Sequence, residues 1–223
     1  MNSVTGEHAD RTVTSDSRPE PVIEQSTRQD PSEPKGTAMT GMTALLERNE
    51  QFARTYDLAA LGAPAQQLLI VGCLDHRVDP ANVLRLQLGD AFVIRNVGGR
   101  VTQAVISDIA YLALLAELFF SNPDDRTVFE VAVVHHTQCG AGLLADSGFR
   151  QQAAAATGLS EGELEATAVT DPEITVKADV ERLLASPLLS PKVSVSGHVY
   201  DIATGRVTTT IDARYPGSDW PAA

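Results

Sequence analysis

The stretch TVFEVAVVHHTQCG, residues 127–140, decides how the rest of the chain is read. From Val128 to Val134 only Glu130 interrupts an apolar run, and the run does not alternate between apolar and polar. A strand that is apolar on both faces belongs to a parallel sheet covered on both sides. The run stops abruptly at His135 and His136, and Cys139 follows three residues after the second histidine. The chain has only two cysteines, so this cluster calls for a reason.

Two upstream segments match that strand. QLLIVGCLD, residues 67–75, reads as a second buried strand and ends in the other cysteine, Cys73. DAFVIRNVGG, residues 90–99, reads as a short strand closed by two glycines. Between and after them lie DPANVLRLQ, a turn of helix opened by proline, and TQAVISDIAYLALLAELFF, a strongly apolar helix. The segments SGFRQQAAAA and VKADVERLLAS predict further helices. KVSVSGHVYD and GRVTTTI, separated by a short turn, predict a terminal hairpin or edge strands. Strands alternating with helices give an α/β fold: a mostly parallel central sheet flanked by helices, with C-terminal edge strands.

The bulk composition sets limits. With 223 residues, 43% of them hydrophobic, the chain fits one core plus a tail. Residues 1–38 are rich in Ser, Thr, Pro and acidic side chains and predict a disordered N-terminal tail. Residues 39–215 then form one domain and residues 216–223 a C-terminal tail. TGMTALLERNEQFARTYD, residues 40–57, predicts an amphipathic helix that lies on another surface. A formal net charge of -12 argues against nucleic acid as a partner, because phosphate binding rests on Lys and Arg. No apolar run approaches the roughly 20 residues that span a bilayer, and the first residues lack a signal-peptide pattern. The expectation is a cytoplasmic protein without a membrane partner. Two cysteines in a reducing compartment are poor disulfide candidates.

Cys73 and the His136/Cys139 pair thus fall at the carboxyl ends of two parallel strands, where open sheets bind ligands. Two thiolates and one imidazole suit zinc, and three protein ligands leave a fourth position open, as in catalytic sites. His135 points to the opposite face of its strand from His136, which makes His136 the ligand. A closed Cys2His2 site using His8, His76, His135 or His198 remains compatible with the spacing, and so does a plain pair of buried cysteines. Two and four residues after Cys73 stand Asp75 and Arg77, a pair able to form a charge-assisted fork that keeps the carboxylate ionised. Such a carboxylate can orient a water at the open position or occupy that position itself. Gly98 and Gly99 either allow close backbone approach or end the strand with positive φ, the second being preferred. Arg95 and Arg100 are expected in ion pairs between subunits or in solvent.

CLDHR, then GDAFVIRNVGGRVT, then HHTQC, resembles the C-x-D-x-R and H-x-x-C pattern of the β-class carbonic anhydrases. The likeness runs from about Leu68 to Gly142 and continues more faintly to GHVYDIATGRV. It implies one zinc per chain held by Cys73, His136 and Cys139, with Asp75 and Arg77 as the catalytic dyad. It implies reversible hydration of carbon dioxide to bicarbonate by zinc-bound hydroxide. It also implies a homodimer or dimer-based oligomer, with the N-terminal helix crossing onto the partner. His76 departs from the pattern, which usually has a small residue there. Hydrolysis of carbonyl sulfide or carbon disulfide at the same zinc, or a non-catalytic zinc-binding assembly role, are the alternatives. A thiol redox enzyme would leave His136 and the Asp75/Arg77 pair without a purpose.

Overall fold

The computed structural model describes residues 41–56, 63–122 and 124–218. The expected tail at 1–38 lies outside these residues, as does most of the one at 216–223. The described chain forms two compact units, divided after Tyr56.

The first unit holds α1, Gly41–Thr55. Its apolar side chains Met42, Leu45, Leu46 and Phe52 share one helical face, and none of the helix is buried.

The second unit opens with β1, Leu68–Cys73. A short helix α2, Pro80–Val83, follows, capped by the Asp79 side chain and started by a proline that lacks the unneeded N–H. Next come β2, Ala91–Asn96, α3, Gln103–Phe119, and β3, Phe129–His136. The helices α4, Ser147–Thr157, α5, Glu161–Ala166, and α6, Pro172–Leu184, precede β4, Val193–Asp201, and β5, Arg206–Arg214. The Asp171 side chain accepts from two first-turn amides of α6, and Pro172 fits its start, so this helix begins four residues before the expected segment.

The sheet runs β2-β1-β3-β4-β5. Its first four strands are parallel, and β5 turns back antiparallel on β4. The expected hairpin is present, and of its two strands β4 is interior and β5 lies at an edge. One face of the sheet carries Leu69, Val71, Val131, Val133, Val193 and Val195, packed with α3 and α6 side chains into the main core. Burial of each such side chain contributes roughly 1.5–3 kcal/mol, which fixes which face of each strand looks inward. The other face carries Ile70, Ala132 and Val134 with Glu130 and His198, and lines a cavity of about 350 Å³. The expected cover on both faces is therefore complete on one face only within this unit.

Among the described residues no helix is long and apolar enough to cross a membrane.

Candidate metal centre

β1 and β3 are direct neighbours, with Gly72 opposite Val134, so Cys73 and His136 emerge at the same carboxyl edge of the sheet. The chain then turns through Thr137 and Gln138, whose φ of 55° is left-handed, and brings Cys139 back beside them. Thr137 anchors this turn, its amide donating to the Tyr200 carbonyl at 3.0 Å and its hydroxyl to Asp201 at 3.1 Å.

The ligand atoms of Cys73, His136 and Cys139 lie within 4.8 Å of one another. The two sulfurs are 3.9 Å apart, far beyond the roughly 2.05 Å of a disulfide. Two thiolates about 2.3 Å from one tetrahedral ion would stand roughly 3.8 Å apart, so the spacing fits zinc. His136 fits as well. Its Nδ1 donates to the Thr137 carbonyl at 2.9 Å, because a carbonyl only accepts, and Nε2 is left as a lone-pair donor atom. That Nε2 is buried and has no hydrogen-bond partner, a costly state that a metal ion relieves.

Charge is distributed to suit a cation. The Cys139 thiol bonds toward Cys73 and draws its pKa down to about 4, against burial and with help from His136. The anion so formed pushes the Cys139 thiol up. Burial lowers the His136 pKa, but the Cys73 sulfur and the Thr137 carbonyl outweigh it and the net shift is upward. A divalent ion held here would replace the protons these three side chains otherwise share.

Asp75 stands at the rim with its side chain mostly covered. The Arg77 guanidinium grips it through Nη2 at 2.5 Å and Nε at 3.0 and 3.2 Å, and the Arg77 amide donates at 2.9 Å. Arg77 thereby holds the carboxyl well below its ordinary range. The same guanidinium donates to the Gln138 carbonyl at 3.1 Å, joining the CLDHR and HHTQC loops. His76 does not crowd this pair. Its side chain is 94% exposed, with Nδ1 3.8 Å from Asp75 Oδ1.

Among the described residues no second histidine joins the cluster, so a closed Cys2His2 site using His76, His135 or His198 falls, and His8 lies outside the described residues. His135 faces α6, and His198 bonds Ser196 at 2.8 Å on the open sheet face. Arg95 and Arg100 are mostly covered and make ion pairs within this chain. Arg95 donates to the Cys73 and Asp75 carbonyls at 2.8 and 2.7 Å and pairs with Asp79 at 2.5 Å, framing the loop that carries Cys73 and Asp75. Arg100 pairs with buried Asp179 at 2.6 Å. Sequence reasoning missed both roles. Gly98 and Gly99 satisfy both readings at once, with φ of 75° and 68°, and a Cβ on Gly99 would meet the Gly72 carbon at 2.9 Å.

A narrow apolar cavity of about 10 Å³ adjoins Cys73 and His136, lined in part by Ile70, Val78, Val83, Leu84 and Val134.

Comparison with known proteins agrees with this geometry. The carbonic anhydrase family model matches residues 68–207. Beta-carbonic anhydrase 1 of Mycobacterium tuberculosis is 30% identical over 172 residues, 76% of this chain and 97% of the relative. A carbon disulfide hydrolase from Acidithiobacillus thiooxidans is 28% identical, over 64% of this chain and 76% of its own. The crystal structure of a carbonic anhydrase from Streptococcus mutans superposes with a TM-score of 0.62 at 32% identity, covering 77% of this chain and 98% of the other. With a family model spanning most of the folded residues and a near full-length relative at that identity, the chain belongs to the β-carbonic anhydrase family.

Proposed function

We propose that this chain is a zinc enzyme that hydrates carbon dioxide reversibly to bicarbonate. Cys73, His136 and Cys139 hold the ion, and Asp75 and Arg77 act beside it. The observation that carries the reading is the pairing of an open three-ligand cluster with a carboxylate kept ionised at its rim. Zinc bound there supplies a Lewis acid that brings the pKa of water down from about 15.7, to near 7 at its most effective. The protein's own groups do the rest. Asp75, unable to take up a proton near neutral pH, accepts a hydrogen bond from the nucleophilic water and aims its lone pair. Arg77 fixes the carboxylate in that orientation and keeps it from drifting onto the metal. The apolar walls of Ile70, Val78 and Val134 exclude water from the approach and favour a small, uncharged, linear substrate.

The carbon disulfide hydrolase relative gives one observation in favour of a second reading, hydrolysis of carbon disulfide or carbonyl sulfide at the same site. The cytoplasm is the proposed location, consistent with the reduced cysteines.

The test is stopped-flow hydration of carbon dioxide beside hydrolysis of carbonyl sulfide, with zinc quantified per chain and Cys139→Ser run in parallel. The reading expects one zinc per chain, fast hydration, and loss of both in the variant. Zinc without hydration, or faster turnover of carbonyl sulfide, would overturn it.

A further inference from the structure

His135 is the residue of the HHTQC cluster that the chemistry leaves unused, and it is completely buried. Its strand neighbour His136 points to one face of the sheet, and His135 therefore points to the other, against α6. There its Nδ1 lies 2.8 Å from the Thr175 hydroxyl. Its Nε2 lies 3.2 Å from Asp179 Oδ2, off the line of a good hydrogen bond. Asp179 is itself 1% exposed and accepts a forked pair of bonds from Arg100, Nε at 2.6 Å and Nη2 at 3.1 Å. Burial pushes the Asp179 carboxyl up, and the His135 and Arg100 groups outweigh it and hold the carboxyl below its ordinary range.

Each arm of this network ends on a segment that carries one of the three metal-binding side chains. His135 is bonded directly to His136. Arg100 follows Gly99, whose backbone is pressed against Gly72 and the Cys73 amide so closely that a Cβ would meet them at 2.9 and 3.0 Å. The remaining Arg100 nitrogen, Nη1, donates to the Ala168 carbonyl at 2.6 Å. The next residue, Val169, donates to the Ala141 carbonyl at 3.4 Å and closes on Gly142, in the turn that starts at Cys139. Through Arg100 and His135, all three segments are thus tied to one buried carboxylate.

We propose that Asp179, with Arg100 and His135, is a positioning unit that sets the spacing of Cys73, His136 and Cys139 from behind. The proposal rests on the metal reading above. A buried ion pair is poor evidence for stability alone, because desolvation offsets much of the attraction. A fixed geometry for a metal is a role such a pair can fill, and changes to groups that orient ligands typically cost 10–100-fold in metal affinity or activity.

The experiment measures zinc affinity by competition with a chromogenic chelator. It also records the thiolate charge-transfer spectrum of the cobalt-substituted protein and the melting temperature. The proteins are wild type, Asp179→Asn, Arg100→Lys, Thr175→Val and, as control, Leu183→Ala. Leu183 is a fully buried core residue of α6 with no arm to the metal segments. The expected result is zinc affinity weakened about tenfold or more in Asp179→Asn, with an altered cobalt spectrum. Smaller losses are expected in Arg100→Lys and Thr175→Val, while Leu183→Ala melts lower and keeps wild-type affinity and spectrum. Should Asp179→Asn fail to fold, the milder pair decides. Folded variants with wild-type affinity and spectrum, or equal losses in Leu183→Ala, would overturn the proposal. Wild-type protein that binds no metal would overturn both this unit and the enzyme reading. Zinc binding without carbon dioxide hydration would overturn the enzyme reading alone, and the affinity series would still decide this one.

Discussion

Asp75 is the side chain on which the proposed chemistry turns, and its charge is under close control. Arg77 lowers its pKa through a side-chain fork, a backbone bond and simple charge attraction, against burial. A carboxyl lowered in the folded state adds stability that is present above its ordinary value of 3.8 and is lost only as pH falls through the lowered one. Across the working range Asp75 is therefore a constant, and it cannot be the group that shapes a pH profile near neutrality. Two thiolates would cancel the double charge of a zinc held there, so its water would be less acidic than at an all-histidine site. Hydration should rise with pH from neutral into the alkaline range, and a flat profile in stopped flow would contradict this. Asp75→Asn keeps the shape but removes the charge. It should retain one zinc per chain and lose about a hundredfold in kcat, within the usual reach of a positioned acid or base. Unchanged kcat would strike Asp75 from the mechanism. The cysteine and histidine cluster was legible because short spacings at strand ends survive folding unchanged. The roles of Arg95 and Arg100 were not, since their partners lie 16–22 and 68–79 residues away in sequence.

Among the elements, the turn after β2 does the most to shape the site, through what it lacks. Gly99 has φ of 68°, and any Cβ there meets the backbone of Gly72 and Cys73 rather than a flexible side-chain end. Gly99→Ala would carry both a left-handed strain of about 1–3 kcal/mol and a clash that pushes β1 away from the cluster. The expected outcome is a urea midpoint lowered by an amount matching at least that strain, together with weaker zinc retention on chelator challenge. A folded variant with wild-type zinc retention would show that the turn does not set the position of Cys73. The strands β1 and β3 were readable because both are apolar on both faces, with Glu130 the one break in the run before the histidines. The interior position of β4 was less so, because Ser194, Ser196 and His198 alternate with its valines and mimic an edge. The helix α5 was missed although Ser160 and Glu163 form a reciprocal capping box, a local signal present in SEGE.

At the scale of the whole molecule, the described units leave large apolar surfaces uncovered. On α1, Met42, Leu45, Leu46 and Phe52 are 49–58% exposed. On α3, Tyr111, Leu114 and Leu118 recur at helical spacing on the side away from the core and are 54–66% exposed. Exposed apolar patches of this kind mark association surfaces, and the homodimer or dimer-based oligomer that the sequence resemblance implies would give them an occupant, a second copy of the chain. Multi-angle light scattering after gel filtration should give twice the chain mass or a multiple of it. The double variant Leu114→Glu/Leu118→Glu should shift that mass down by placing charges on the α3 surface. Because Cys73, His136 and Cys139 all come from one chain, the smaller species should still carry one zinc per chain. Its hydration rate then tells whether the assembly completes the substrate path or only covers apolar surface. A wild-type mass of one chain at micromolar concentration would remove the oligomer and leave these surfaces for a different partner.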